Sequence, residues 1–344
     1  MPSADAGPAA ARVLSLPTSK HDFPKVLCLD TNIWIALGQA RYERPEGRRF
    51  NDALAAVRSA IQHEKLIVPV LTTPVFDSRR RRDLASRERL ANFMVELSGN
   101  TSMIPHVAVQ PAEMRNAIRR QYLGSGETEP IRASVLRRGM SGAFGDTAPQ
   151  LSLTGDPVRD AVEYATISSP EISVHAILNA LSDDTFSKMR AEESTTMRTA
   201  ADIRRLDAQL SPENKERLEC SNWLTANGLL LWEALTVLEV RSPDFLAWIA
   251  REDNLRRFCL DIPSLDVLLT LMVARDRNPG DATDENDGLD WRFLQTVIPY
   301  GNIVATENRW AHLANSTGLA GRSGTRVIAD AAELPAVLVE EGCL

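Results

Sequence analysis

The stretch Val26-Leu27-Cys28-Leu29-Asp30-Thr31-Asn32-Ile33-Trp34 decides the reading of the fold. Four apolar residues end abruptly on a carboxylate. A short apolar run closed by a turn reads as a buried strand, here over residues 25–29. From Asn32 to Arg41 the apolar residues return at helical spacing (Ile33, Trp34, Leu37), and this helix ends before Pro45. Asp30 therefore stands between a core strand and a helix. Its everyday role there is to cap the helix, because its side-chain oxygen accepts from amide groups that the first turn leaves unpaired. In an open α/β sheet the same position is where ligands bind, outside the carboxyl ends of the strands.

Reading outward, strand and helix alternate. Ala53 to His63 is amphipathic, with Leu54, Val57 and Ile61 on one face. Leu66-Ile67-Val68-Pro69-Val70 reads as a second strand, Asp83 to Leu97 as a helix closed by Gly99, and Ser102 to Ile104 as a third strand. The alternation returns near the end of the chain. Residues 287–310 read as helix then strand, and residues 325–341 as strand then helix. This pattern predicts an α/β fold with a parallel sheet flanked by helices.

The middle differs. Gly124 to Asp160 is rich in Gly, Ser, Pro and Thr and reads as mostly loop. Ile172 to Arg275 carries almost no strand signal, and the runs 186–210 and 215–240 read as long helices. The expected organisation is a flexible tail over 1–22, an α/β part over 23–105, a helical insertion over 106–261, and a second α/β part over 262–344.

Composition bounds the function. The chain has 344 residues, 44% hydrophobic and 25% charged, which is ordinary globular composition. The formal net charge of −7 excludes a protein that binds nucleic acid through overall basicity, so a polyanion would need a local patch. No apolar run approaches the ~18 residues of a membrane span. The first 22 residues lack the basic start and apolar middle of a signal peptide. Cys28, Cys220, Cys259 and Cys343 lie at no metal or disulfide spacing, so a cytoplasmic protein is expected.

Asp30 is not the only acid near a strand end. Asp77 follows the second strand, Asp287 and Asp290 open the helix before the late strand, and Glu307 follows that strand. If the strands are parallel, these acids gather at one edge of the sheet. Crowded carboxylates repel and are tolerated where a divalent cation neutralises them. Oxygen donors without Cys or His indicate Mg²⁺ or Mn²⁺ rather than Zn²⁺.

These residues resemble a known family. Leu29-Asp30-Thr31-Asn32-Ile33-Trp34 is similar to the first motif of PIN-domain ribonucleases. Residues 286–310 resemble the third and fourth motifs, an acid opening a helix and then a strand ending in Thr-acid; Asp290 and Glu307 stand 17 positions apart, room for one helix and one strand. Residues 68–99 resemble the second acidic motif and its helix. The resemblance covers roughly residues 25–105 and 262–342. It departs from the family at Asp77, where Glu is usual, at Glu307, where Asp is usual, and at Asn302, where related Pro-Tyr stretches carry an acid.

The resemblance implies metal-assisted hydrolysis of RNA, with single strands as the substrate class. Asp30, Asp290 and Glu307 would hold Mg²⁺ or Mn²⁺, and Asp77 would join them or orient the attacking water. Asn32 and Thr306 would aim the carboxylates, with Asn302 in a similar supporting place. For Asn32 the alternative is simply to end the strand or start the helix. Asp287 is a ligand or a helix cap, and capping fits the motif spacing better.

Arg79-Arg80-Arg81-Arg82 is the one dense basic cluster and lies beside Asp77. It reads as a phosphate grip for RNA or as a solvated loop. Tyr300 and Trp310 could stack on bases, but core packing is the commoner use of such rings. A dinucleotide enzyme is excluded because no Gly-rich turn follows the first strand. An aspartyl phosphatase would want a second Asp where Asn32 stands. The rival that survives is a weakened PIN-like module that binds RNA, or a protein partner through the insertion, without cleavage.

Overall fold

The computed structural model describes residues 24–79, 81, 83–145, 169–179, 188, 191, 195, 210–251, 253–276 and 287–344. Its centre is a parallel sheet of four strands in the order β2-β1-β5-β6, with β1 at Lys25–Leu29, β2 at Leu66–Ile67, β5 at Ile303–Ala305 and β6 at Arg326–Ile328. Strand β1 pairs with β2 through Lys25 and Val26, and with β5 through Leu27, Cys28 and Leu29. All five residues of β1 are buried, as a central strand covered on both faces requires. Leu27 and Leu29 face one apolar cluster, Val26 and Cys28 another, so the two-residue period of the strand divides the core into two layers.

The expected second strand is shorter in its pairing. Pro69 has no amide hydrogen to give to a ladder, and beyond Ile67 the run makes only a parallel bridge from Val70 to Ser102. The third strand is present as β3, Thr101–Met103. It pairs antiparallel with β4, Leu136–Arg138, which lies inside the stretch expected to be mostly loop. Three residues with two arginines carry little periodic signal.

Helices follow the strands closely. Thr31–Arg41 leaves β1 directly, and Asn51–Gln62 precedes β2. Leu84–Ser98 is capped by Asp83, whose carboxylate accepts from Ala85 and Ser86, and closed by Gly99 in the left-handed conformation (φ 57°). Thr72–Ser78, unforeseen as a helix, carries Asp77 in its last turn.

Apart from β4 and the loops beside it, the insertion is helical where described. The run 215–240 is two helices rather than one, Pro212–Ala226 and Gly228–Val237, broken at Asn227, whose side chain and backbone amide both turn back to the Trp223 carbonyl. The N-terminal 22 residues and most of 186–210 lie outside the described residues. A third apolar cluster around Phe245, Phe258 and Leu235 is the insertion's own core. It is stitched to the sheet by the helices at both boundaries. In His106–Gln121, Val109 belongs to the sheet cluster and Met114 and Ile118 to the insertion cluster; in Pro263–Asp276, Val267 and Leu271 belong to the first and Leu265 to the second. All four cysteines are free and buried. Among the described residues no helix is long and apolar enough to cross a membrane.

Candidate functional site

Parallel pairing puts the carboxyl ends of β1 and β5 side by side. The Asp30 amide donates to the Ala305 carbonyl at 2.9 Å, and the Thr306 amide to that of Ile328 at 3.0 Å. Asp30 and Glu307 are the residues from which the next helices start, so both carboxylates emerge at this edge. Asp290 enters from the first turn of Asp287–Tyr300, and Asp77 from the last turn of Thr72–Ser78. The four acids line one cleft of about 80 Å³, together with Thr31, Asn32, Thr73, Leu289 and Phe293.

Neutral donors hold the carboxylates. Asp30 Oδ1 accepts from the Thr31 amide at 2.6 Å, and its Oδ2 accepts from the Thr306 hydroxyl at 3.0 Å. Asp30 is thus both the cap of the helix it precedes and a wall of the cleft. Asn32 Nδ2 donates to Glu307 Oε1 at 2.5 Å. The Trp310 indole donates to Asp290 Oδ2 at 2.8 Å. Trp310 is otherwise a core ring, set edge-on to Trp291, and its link to Asp290 had no signal in the sequence because the two residues are joined only by the fold.

Electrostatics mark the crowding. Burial, with the charges of Glu307 and Asp77 adding to it, pushes Asp30 up to about 6 against the hydrogen bonds from Thr31 and Thr306. Asp290 is pushed up to about 8 by burial first, then by Asp30, while Trp310 opposes the rise. At neutral pH Asp290 therefore favours its protonated form when no cation is bound.

Other expected site residues lie elsewhere. Asp287 is buried in an ion pair with Arg275 at 2.5 Å, and Arg309 approaches its other oxygen at 3.4 Å. Its carboxylate is engaged by these two guanidinium groups rather than by the cleft. Asn302 sits at the opposite end of β5. Its Oδ1 accepts from the Val26 amide at 3.0 Å and from Arg132 at 2.8 Å, so it fastens β1 to β5 at the amino edge of the sheet. The register explains the error: Asn302 precedes the strand, whereas the cleft follows it.

Of the arginine run, Arg79 and Arg81 are described, and neither lines the cleft. The helix carrying Asp77 ends at Ser78, with Arg79 as its C-terminal cap. Arg79 donates to the Leu178 carbonyl at 2.8 Å, clasping the helix Pro170–Asn179, and Arg81 donates to Ser86 at 2.7 Å. Arg80 and Arg82 lie outside the described residues. Tyr300 is buried, with its hydroxyl on Glu113.

The cleft offers only oxygen donors, which fits a hard divalent cation such as Mg²⁺ or Mn²⁺. Among the described residues, no three acidic, His or Cys side chains already stand together as a ready ligand group. The donors just described occupy several of the carboxylate oxygens. No known protein family, curated protein or solved structure matches the chain. What defines it is an α/β architecture, a parallel sheet flanked by many helices, with an acidic cleft at its carboxyl edge.

Proposed function

We propose that this chain is a metal-dependent PIN-like endoribonuclease that hydrolyses phosphodiester bonds of single-stranded RNA at the carboxylate cleft. One observation carries the reading. Asp30, Asp77, Asp290 and Glu307, scattered over the sequence and matched to the family's acidic motifs, line the same small cleft. Four acids brought together at the place where α/β sheets bind ligands cost stability through repulsion and desolvation, which a cation offsets.

The residues take distinct parts. Asp30, Asp290 and Glu307 would hold Mg²⁺ or Mn²⁺. When bound, such an ion lowers the pKa of a coordinated water and neutralises charge on the phosphate. Thr306 and Thr31 fix both oxygens of Asp30, Asn32 fixes Glu307, and Trp310 fixes Asp290. Asp290, raised to about 8 by burial and by Asp30, would have to lose its proton to hold the ion, so affinity for the metal is expected to rise with pH up to about 8. Asp77 supplies a further carboxylate to orient the attacking water.

A second reading, a weakened module that binds RNA or a protein partner without cleaving, is favoured by the absence of a ready three-ligand group among the described residues. The discriminating experiment is cleavage of end-labelled single-stranded RNA in Mn²⁺ and in chelator. Wild type should cleave only with Mn²⁺, and Asp30→Asn should lose at least about a hundredfold, the loss typical when a charge-stabilising group is removed. Equal rates in wild type and Asp30→Asn would hand the case to the binding module.

A further inference from the structure

The carboxylate cleft has a neighbour built from the same two helices. A second cleft of about 380 Å³ shares Thr73 and Leu289 with it. The chain alternates between them. Phe76 lines the second cleft and Asp77 the first, and Leu289 is followed in the same way by Asp290. A ligand with one part at the carboxylates therefore has an adjoining place for another.

That place is apolar and aromatic. Phe76 and Phe144 line it with ring centroids 6.4 Å apart, beside Leu71, Met103 and Val107. Phe144 is 38% exposed and Val107 58%, so the cleft opens to solvent. Phe144 lies in the short turn Ser141–Phe144, pinned by a hydrogen bond from the Thr72 hydroxyl to the Ala143 carbonyl.

Its polar groups are few. His106 is buried, and burial together with the charge of Arg292 holds its imidazole down to about 4. It is neutral at physiological pH; its ring already bonds the Arg292 backbone, and its Nδ1 stands 3.5 Å from the Thr296 hydroxyl, so one nitrogen at most is left for a ligand. Thr296 accepts from the His106 amide at 3.0 Å and donates to the Arg292 carbonyl at 2.9 Å. Arg292 is the single cationic side chain among the lining residues.

A flat, uncharged ring joined to a phosphate matches this lining. The ring finds an exposed aromatic face and a neutral imidazole, and the anionic linkage finds Arg292. Unpaired RNA presents such rings, splayed from the backbone, and each has a π-face that stacks on aromatic side chains. We infer that the cleft seats one unpaired nucleobase next to the phosphate at the carboxylates, stacked on Phe144 with its polar edge toward His106. This inference rests on the nuclease reading for the identity of its ligand, but not for its test.

The test is calorimetric titration of the full chain, in chelator, with adenosine, cytidine, ribose and N-acetyltryptophan amide. At least one ribonucleoside should bind where ribose does not. Phe144→Ala should weaken that binding about fivefold or more, the lower end for loss of one stacked base. Phe144→Tyr should retain it, and Asp30→Asn should leave it unchanged. Ribonucleoside binding no tighter than that of ribose would overturn the inference, as would full affinity in Phe144→Ala. Binding of the tryptophan amide alone would assign the cleft to a protein segment and overturn it too. Because no metal or cleavage enters, a chain that binds nucleosides through Phe144 yet cleaves nothing sinks the nuclease reading only. A chain that cleaves but shows no such binding sinks this inference only.

Discussion

The helix Asp287–Tyr300 joins two buried carboxyl groups that the fold treats in opposite ways. At its far end, Tyr300 donates its hydroxyl to Glu113, and the other Glu113 oxygen receives the Ser264 hydroxyl at 2.5 Å and the Ser264 amide at 3.3 Å. Burial raises Glu113 to about 7, and every hydrogen bond it receives pulls the other way. At the near end, Asp290 has the Trp310 indole and faces Asp30 and Glu307, whose charges add to the effect of burial. A lone acid with a donor for each oxygen is a satisfied part of a core. Acids crowded against one another with fewer donors keep a proton or take a cation. Burial alone does not separate the two cases; the sign of the neighbouring charges does.

The largest effect that sharpens this contrast is on stability. Glu113→Ala strands the Tyr300 and Ser264 hydroxyls in a core, each an unsatisfied donor. The expected loss is about 3 kcal/mol, measured by urea unfolding, with Mn²⁺-dependent cleavage by the remaining folded protein unchanged. The pH dependence has a definite sign. Because the folded-state pKa of Glu113 lies above its ordinary value, its contribution is fully present below about 4.5 and fades as the pH rises through about 7. Glu113→Gln should remove that slope. A folded Glu113 variant that loses the proposed Mn²⁺ dependence would break the contrast, because the far end would then belong with the carboxylate cleft.

The two flanks of β5 give the next test. Thr306 follows the strand and donates to Asp30, whereas Asn302 precedes it and fastens β1. Thr306→Val should weaken Mn²⁺ binding about tenfold, the low end for a residue that orients a metal-holding group. The measurement is the rise in melting temperature during a Mn²⁺ titration without substrate. Asn302→Ala should lower the melting temperature throughout yet leave the titration midpoint where it was. If Asn302→Ala shifts the midpoint as Thr306→Val does, the assignment of the two ends is wrong.

How far the sequence announced all this depends on whether a feature is local. The apolar run ending on Asp30 is a strand followed directly by a helix, and it was legible. So were Asp83 and Gly99 at the two ends of their helix, because capping acts within one turn. A parallel sheet then carries Asp30 and Glu307 to one edge without further information. Asn302, Arg79 and Arg81 were expected near the cleft because closeness along the chain was taken for closeness in space. Asn302 precedes a three-residue strand that the cleft follows, and the two arginines reach Leu178 and Ser86 instead. Trp310 on Asp290, the Glu113 network and the cleft beside the carboxylates were invisible. They join segments from distant parts of the chain, and no spacing encodes such a meeting.

The last test again needs no substrate. In chelator, Asp290 keeps its proton up to about 8 when folded and loses it near 4 when unfolded. Between these values the folded chain binds more protons than the unfolded one, so raising the pH through this window destabilises the protein. Asp290→Asn carries no titrating group there, and its amide oxygen still accepts from Trp310. The variant should therefore melt close to wild type at pH 5 and above it at pH 8, where the buried wild-type carboxyl must either hold its proton or ionise among other acids. Mn²⁺ should reverse the order at pH 8, because wild type gains a ligand that binds its folded form and the variant loses much of that gain. KCl at matched ionic strength should reproduce little of it, since screening is not coordination. A wild type and variant that melt apart by the same amount at pH 5 and pH 8 would mean that Asp290 is ionised and satisfied like any surface acid. The near end of the helix would then differ from the far end only in its number of carboxyl groups.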